Sequence, residues 1–151
     1  MPDPDIRSQA LSMLAKRALT RKELRDRLRR KKFPLAEVNQ IVAEFHDKGY
    51  INEQAIIEDA ARLGKELKLQ GRFLLRYELR RRGLPEAAVN AVLDQDYQPT
   101  EEYAVARTFA EHHAAKMTET DSAKKLNRLG AALQRRGFDV EVIQQVLDEL
   151  E

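Results

Sequence analysis

The chain has no cysteine and no tryptophan, and only six glycines and five prolines in 151 residues. Without cysteine, disulfides, thiolate catalysis and cysteine-ligated zinc are all excluded. The glycines never cluster, so no GxxxxGK[ST] or GxGxxG loop is available to cradle a nucleotide. The histidines, His46, His112 and His113, show no HExxH spacing. Adjacent His112 and His113 point about 100° apart on a helix, which keeps them from sharing a metal. No apolar run approaches the ~18 residues that a membrane span needs, and Met1-Pro2-Asp3-Pro4-Asp5 is not a secretory start, so a cytoplasmic protein is expected. Carboxylates are plentiful but stand beside Lys and Arg, where ion pairing is the ordinary explanation. The expectation is a protein with no catalytic residues, no cofactor and no metal. Apolar–polar alternation at period two is also missing over any useful length, which excludes a sheet.

What is present is a repeat. Apolar residues make up 42% of the chain and charged residues 34%, and the apolar ones recur at helical spacing. Glu23 to Val42 reads ELRDRLRRKKFPLAEVNQIV; 51 residues on, Tyr77 to Leu93 reads YELRRRGLPEAAVNAVL; 54 further, Ala131 to Leu147 reads AALQRRGFDVEVIQQVL. The shared frame is a leucine (Leu28, Leu79, Leu133), a basic pair (Arg30-Lys31, Arg81-Arg82, Arg135-Arg136), then Lys32, Gly83 or Gly137 and a large apolar residue (Phe33, Leu84, Phe138). Val38, Val89 and Ile143 follow, then Ile41, Val92 and Val146, with no gap. Self-similarity at a period of roughly 50 residues is the mark of a repeat architecture. The units run 1–50, 51–97 and 98–151, and each contains three helices. The fold class is therefore all-α, three tandem three-helix repeats in an elongated, curved row.

Local signals place the helices. Asp5 caps a first helix from Ile6 with Leu11 and Leu14 inward. Thr20-Arg-Lys-Glu23 is a capping box opening a second, with Leu24 and Leu28 inward. Pro34 starts a third, with Leu35, Val38, Ile41, Val42 and Phe45 inward, and Gly49 ends it. In the second unit a helix from Asn52 to about Leu69 buries Ile56, Ala60, Leu63 and Leu67. Gly71 and Gly83 bracket the next, and Pro85 starts the one after. Tyr97-Gln98-Pro99 breaks the chain, Thr100 caps the next helix, Ser122 to Arg136 forms the eighth, and Asp139 caps the last. Phe33, Phe45, Phe109 and Phe138 fall on apolar faces and are assigned to core. Tyr50 and Tyr77 could be exposed or locally packed, and no aromatic stacking platform is evident.

The net charge of +2 conceals a gradient. Lys and Arg outnumber Asp and Glu by 12 to 7 in residues 1–50, match them 8 to 8 in 51–97, and fall behind 7 to 10 in 98–151. An anionic partner meeting the front of the molecule is the natural implication. Arg21, Arg25 and Arg29 lie four apart and form a ridge, repeated 51 residues on as Arg72, Arg76 and Arg80 and replaced by Leu126, Gly130 and Gln134 in the third unit. Arg30, Lys31 and Lys32 extend the first ridge, and Arg81 and Arg82 the second. Guanidinium groups along one face can grip phosphates or carboxylates in paired hydrogen bonds. The competing explanation is solvated helix surface. A second function class is a helical DNA-binding transcriptional regulator using the basic first repeat, although no dimerisation element or base-reading pattern accompanies it. A third is a helical scaffold without nucleic-acid contact.

The ordered combination resembles the RecX family of regulators of the bacterial RecA recombinase. The matching features are Ala10-Leu11…Leu14…Arg17…Thr20-x-x-Glu23-Leu24…Leu28, then Gly49-Tyr50-Ile51-Asn52, then Gly71…Glu78-Leu79-x-x-x-Gly83-Leu84, then Leu133-x-x-x-Gly137-Phe138…Ile143…Val146-Leu147. They span nearly the whole chain. The chain departs from the family pattern at Asn52-Glu53, where an acidic pair is common, at Ile56-Ile57, where Phe-Ala is common, and at Lys32, where glycine is frequent. The resemblance implies tandem three-helix repeats, no catalysis, and binding to the RecA–DNA filament along its groove. That binding restrains filament growth, strand exchange, ATPase and coprotease activities, and hence the SOS response. It also implies non-specific contact with single- or double-stranded DNA. A monomer without a membrane partner is the expectation.

Overall fold

The computed structural model describes residues 5–150. Among them are nine α-helices and no strand: α1 Ile6–Lys16, α2 Arg21–Arg30, α3 Leu35–Asp47, α4 Glu53–Leu63, α5 Arg72–Arg81, α6 Glu86–Asp96, α7 Pro99–Ala115, α8 Ser122–Arg135 and α9 Val140–Leu150. The all-α expectation is met. Helices pack in three consecutive triads, α1–α3, α4–α6 and α7–α9, every helix touching both others of its own triad.

The capping signals act as the sequence suggests. Asp5 accepts from the Ser8 amide at 2.7 Å and Asn52 from the Ala55 amide at 3.1 Å. The Thr20–Glu23 box is closed in both directions, at 3.1 and 3.0 Å. One start is displaced: α7 begins at Pro99, and Gln98, not Thr100, is its cap.

Three inward assignments fail. Leu11 is 45% exposed, and the first helix buries Ala10 instead, because a short side chain lets α1 lie close to its neighbours. Leu35, at the first position of α3, is 50% exposed. Leu67 is 73% exposed because α4 does not run straight to Leu69. It widens into a π-helical turn, Gly64–Lys68, which ends at Leu69 in the left-handed region (φ 51°). Ile56, Ile57 and Ala61 of α4 and Gly64 at the start of the turn are buried, and the wider turn carries Leu67 off that stripe.

The core does not divide into three. Leu24, Leu28, Val38, Ile41, Val42, Phe45 and Ile51 form one cluster within the first triad. A second cluster runs without a break through both later triads, from Ile56 and Leu79 to Leu133 and Val146. The first triad meets the second through a different contact, made mostly of polar groups. The chain exposes 9560 Å2, against roughly 7,900 Å2 expected of a compact monomer of this mass, which agrees with an extended array.

Candidate binding surface

The same junction is built twice, and it uses several of the basic residues picked out above. At the first junction the amino end of α2 meets the carboxyl end of α5. Thr20 Oγ1 donates to the Arg82 carbonyl at 2.6 Å, and the Arg82 guanidinium donates to both Glu23 carboxylate oxygens at 3.0 and 2.9 Å and to the Ala18 carbonyl at 3.2 Å. The Arg21 amide and side chain both bond Glu53, the first residue of α4, each at 3.1 Å.

At the second junction the amino end of α5 meets the carboxyl end of α8 in the same way. The Gly71 amide donates to the Arg136 carbonyl at 2.8 Å, the Arg136 side chain reaches the Lys68 and Leu69 carbonyls, and the Arg72 amide donates to Glu102, in the first turn of α7, at 2.8 Å. Arg82 and Arg136 are thus equivalent, as are Arg21 and Arg72. Arg72 adds an ion pair with Asp94 at 2.7 Å.

The two junction carboxylates differ in environment. Burial pulls the Glu23 carboxyl up, but the Arg82 hydrogen bonds, the Thr20 amide and the charges of Arg82 and Arg17 outweigh it, leaving a net value below the ordinary one. Glu102 is almost wholly buried, and desolvation carries its carboxyl above the ordinary range despite the Arg72 amide. Beside it, Tyr97 is fully buried and donates to the Gln70 carbonyl at 2.5 Å; desolvation and the nearby Glu102 and Glu101 charges push its phenol up.

The last arginine of each ridge has a third role. Arg29 donates to the Phe33 carbonyl and Arg80 to the Leu84 carbonyl, both at 2.9 Å, closing the turn at the end of their own helices. The middle pair diverges. Arg25 Nε donates to Asn39 Oδ1 at 3.2 Å. At the equivalent place Arg76 Nε and Asn90 Oδ1 are both buried with no hydrogen-bond partner, and the Arg76 guanidinium lies 5.7 Å from the centre of the Phe73 ring.

The joint made by Arg21 and Arg72 accounts for the recurrence of the first ridge position and for its loss as Leu126 in the third triad, which has no further triad to join among the described residues. Arg21, Arg72 and Arg82 are committed to the fold. Arg30, Lys31 and Lys32 at the end of α2, and Arg81 on α5, are exposed and have no carboxylate partner among the described residues. Arg29 and Arg80, also exposed, keep donors beyond the ones they spend as caps.

Two aromatics join this surface. Phe73 and Tyr77 stand one turn apart on α5 and are 53% and 59% exposed. Arg81 lies 5.7 Å from the Tyr77 ring centre. Periodicity could have found Phe73, since it falls opposite the Leu75/Leu79 stripe. No cluster of metal-ligating side chains exists among the described residues.

Models of two RecX domains match this chain: the first three-helix domain over residues 7–45 and the third over residues 100–147. The regulatory protein RecX of Trichlorobacter lovleyi is 31% identical over 144 residues, covering 93% of this chain and 92% of its own length.

The chain belongs to the RecX family.

Some RecX relatives are longer. That of Geobacillus kaustophilus is 32% identical over 92% of this chain, but the match covers only 51% of the relative. The crystal structure of RecX from Lactobacillus salivarius superposes with a TM-score of 0.84 at 23% identity, covering 96% of this chain and 94% of its own. A second RecX crystal structure gives 0.87 at 20% identity, over 95% of this chain and 71% of that one. The fold is that of RecX.

Proposed function

We propose that this chain is a non-enzymatic, cytoplasmic regulator that binds a RecA-type recombinase filament as a monomer and restrains its growth, together with its ATPase and coprotease activities. The observation that carries this reading is the match of RecX three-helix domains at both ends of one continuous helical array. The array is long and presents cations at successive triads, a form suited to a filament groove lined with phosphates or acidic side chains. Its units are residues 1–50, 51–97 and 98–151.

The test is to add the purified chain to RecA, ATP and single-stranded DNA and follow filament length and ATP hydrolysis. Shorter filaments and slower hydrolysis at stoichiometric amounts are expected; no change in either disproves the reading. The contact residues are the free cations, Arg30, Lys31, Lys32 and Arg81, with Arg29 and Arg80. Replacing Arg30, Lys31 and Arg81 with alanine leaves circular dichroism unchanged and weakens filament binding. Where phosphates are the partner, each lost contact lowers the log–log salt slope by roughly 0.7–0.9.

The basic cluster of the first triad also admits contact with free duplex DNA. Gel shifts on several duplex sequences separate a transcriptional regulator, whose sequence preference survives high salt, from a filament regulator, which has none.

A further inference from the structure

The outer face of α5 carries two features that the fold does not use. The first is the exposed Phe73–Tyr77 pair. At the equivalent places α2 has Lys22 and Asp26, joined in an ion pair at 2.8 Å, and α8 has Asn127 and Ala131. The frame therefore asks for no aromatic residue here, and the middle triad alone has them. The rings sit one helical turn apart, about 6 Å along the axis, each with a guanidinium over it. The second feature is a cleft of about 430 Å3 bordered by Phe73, Arg76, Pro99, Tyr103, Glu141 and Gln145, where the amino ends of α5, α7 and α9 converge.

The charges around these features sort what can bind. The cleft is lined by Glu102 and Asp139 beside Arg72 and Arg76, with the exposed Glu141 at its border. Glu102 and Asp139 are bonded to the Arg72 and Glu141 amides and offset the two guanidinium groups, a mixed lining that suits an uncharged heterocycle with polar groups on its edge. Along the outer rim Arg76, Arg80 and Arg81 favour an anion, and Glu78, the acid among them, is held by the Gln70 amide group at 2.9 Å. A flat, uncharged group flanked by anionic links is a nucleotide whose base is free to leave the stack. A duplex keeps both faces of its bases covered, whereas a single strand presents them.

We propose that the outer face of α5 and the adjoining cleft bind single-stranded nucleic acid, with Phe73 and Tyr77 stacking unpaired bases and Arg76, Arg80 and Arg81 holding the neighbouring phosphates. This deepens the filament reading by naming the part of a recombinase–DNA complex that this face meets, and it rests on that reading for its biological setting only. The recognition chemistry needs no recombinase.

The test accordingly omits recombinase. Fluorescence anisotropy of a labelled oligothymidylate and of a duplex of equal length is measured on the full chain at low salt, with Phe73→Ala, Tyr77→Ala, the double variant and Phe73→Trp. Because both side chains are exposed, circular dichroism should match that of the parent. The single strand is expected to bind more tightly than the duplex. Each alanine should weaken it by roughly tenfold, from the usual worth of one stacked base, with little effect on duplex affinity or salt slope, and Phe73→Trp should preserve binding. The proposal is overturned by equal affinity for both forms, by no binding to either, or by an unchanged double variant. It is also overturned if the double variant binds oligothymidylate normally yet no longer restrains RecA filaments, because the face would then meet a protein. Failure of the parent chain to restrain filaments, while it binds oligothymidylate and the double variant does not, would instead count against the filament reading alone.

Discussion

Lys32, Gly83 and Gly137 occupy the same register of three successive turns and share a left-handed backbone, with φ of 70°, 88° and 83°. Only two of them need to be glycine. A Cβ on Gly83 would lie 2.5 Å from Lys22 Cβ, and one on Gly137 would lie 2.3 Å from the Leu74 backbone nitrogen, since each turn receives the preceding triad. Lys32 is exposed, so it meets only the backbone strain and its side chain is free to serve the surface. Gly137→Ala should therefore cost about 2–5 kcal/mol, combining left-handed strain with overpacking. Lys32→Gly should add roughly 1 kcal/mol of stability, since glycine relieves that strain at some entropic cost. Urea unfolding of both variants checks the two signs together. The departure from the family pattern at Lys32 was visible in the sequence; that it is the turn without a neighbour was not.

Among the helices, α2 shows how far a local pattern reaches. Its capping box and the Leu24/Leu28 stripe are written in sequence and both form. Thr20→Ala should cost about 1–2 kcal/mol for the cap, with further loss because the same hydroxyl bonds the Arg82 carbonyl. Leu28→Ala and Leu79→Ala remove side chains at 0% and 2% exposure and should each cost about 2–5 kcal/mol in thermal or urea unfolding. The fourth helix shows the limit. Its apolar residues fit an unbroken α-helical stripe through Leu67, and nothing local marks the π-helical turn that displaces it. That turn accompanies docking on the third triad: the Arg136 side chain bonds the Lys68 and Leu69 carbonyls, and Lys65 pairs with Glu101 of α7 at 2.9 Å.

For the molecule as a whole, the joints are unequal. The second and third triads share an apolar core, whereas the first is fastened to the second chiefly by Arg82–Glu23 and Arg21–Glu53. The Glu23 carboxyl sits below its ordinary value of 4.5 when folded. Its contribution is therefore complete above that value and is lost as pH falls through the folded pKa. Stability of the first triad should decline below about pH 4.5, and Glu23→Gln should flatten that decline in pH-dependent urea unfolding. Arg82→Ala strands a partly buried carboxylate and should cost roughly 1–3 kcal/mol. Its denaturation curve should split, the first triad melting ahead of the rest.

Helix periodicity, caps and the threefold frame belong to the sequence, because they depend on residues within one or two turns of each other. The all-α class, the near-ends of the helices and the family pattern follow from them directly. The sharing of one core by two triads, the role of the recurring arginines as joints, and the exposure of Phe73 and Tyr77 depend on which helix end meets which turn some fifty residues away. A repeated arginine looks the same in sequence whether it faces a phosphate or the next triad. Only packing decides between them, and here it commits Arg21, Arg72 and Arg82 to the joints and leaves Arg30, Lys31, Lys32 and Arg81 on the outside.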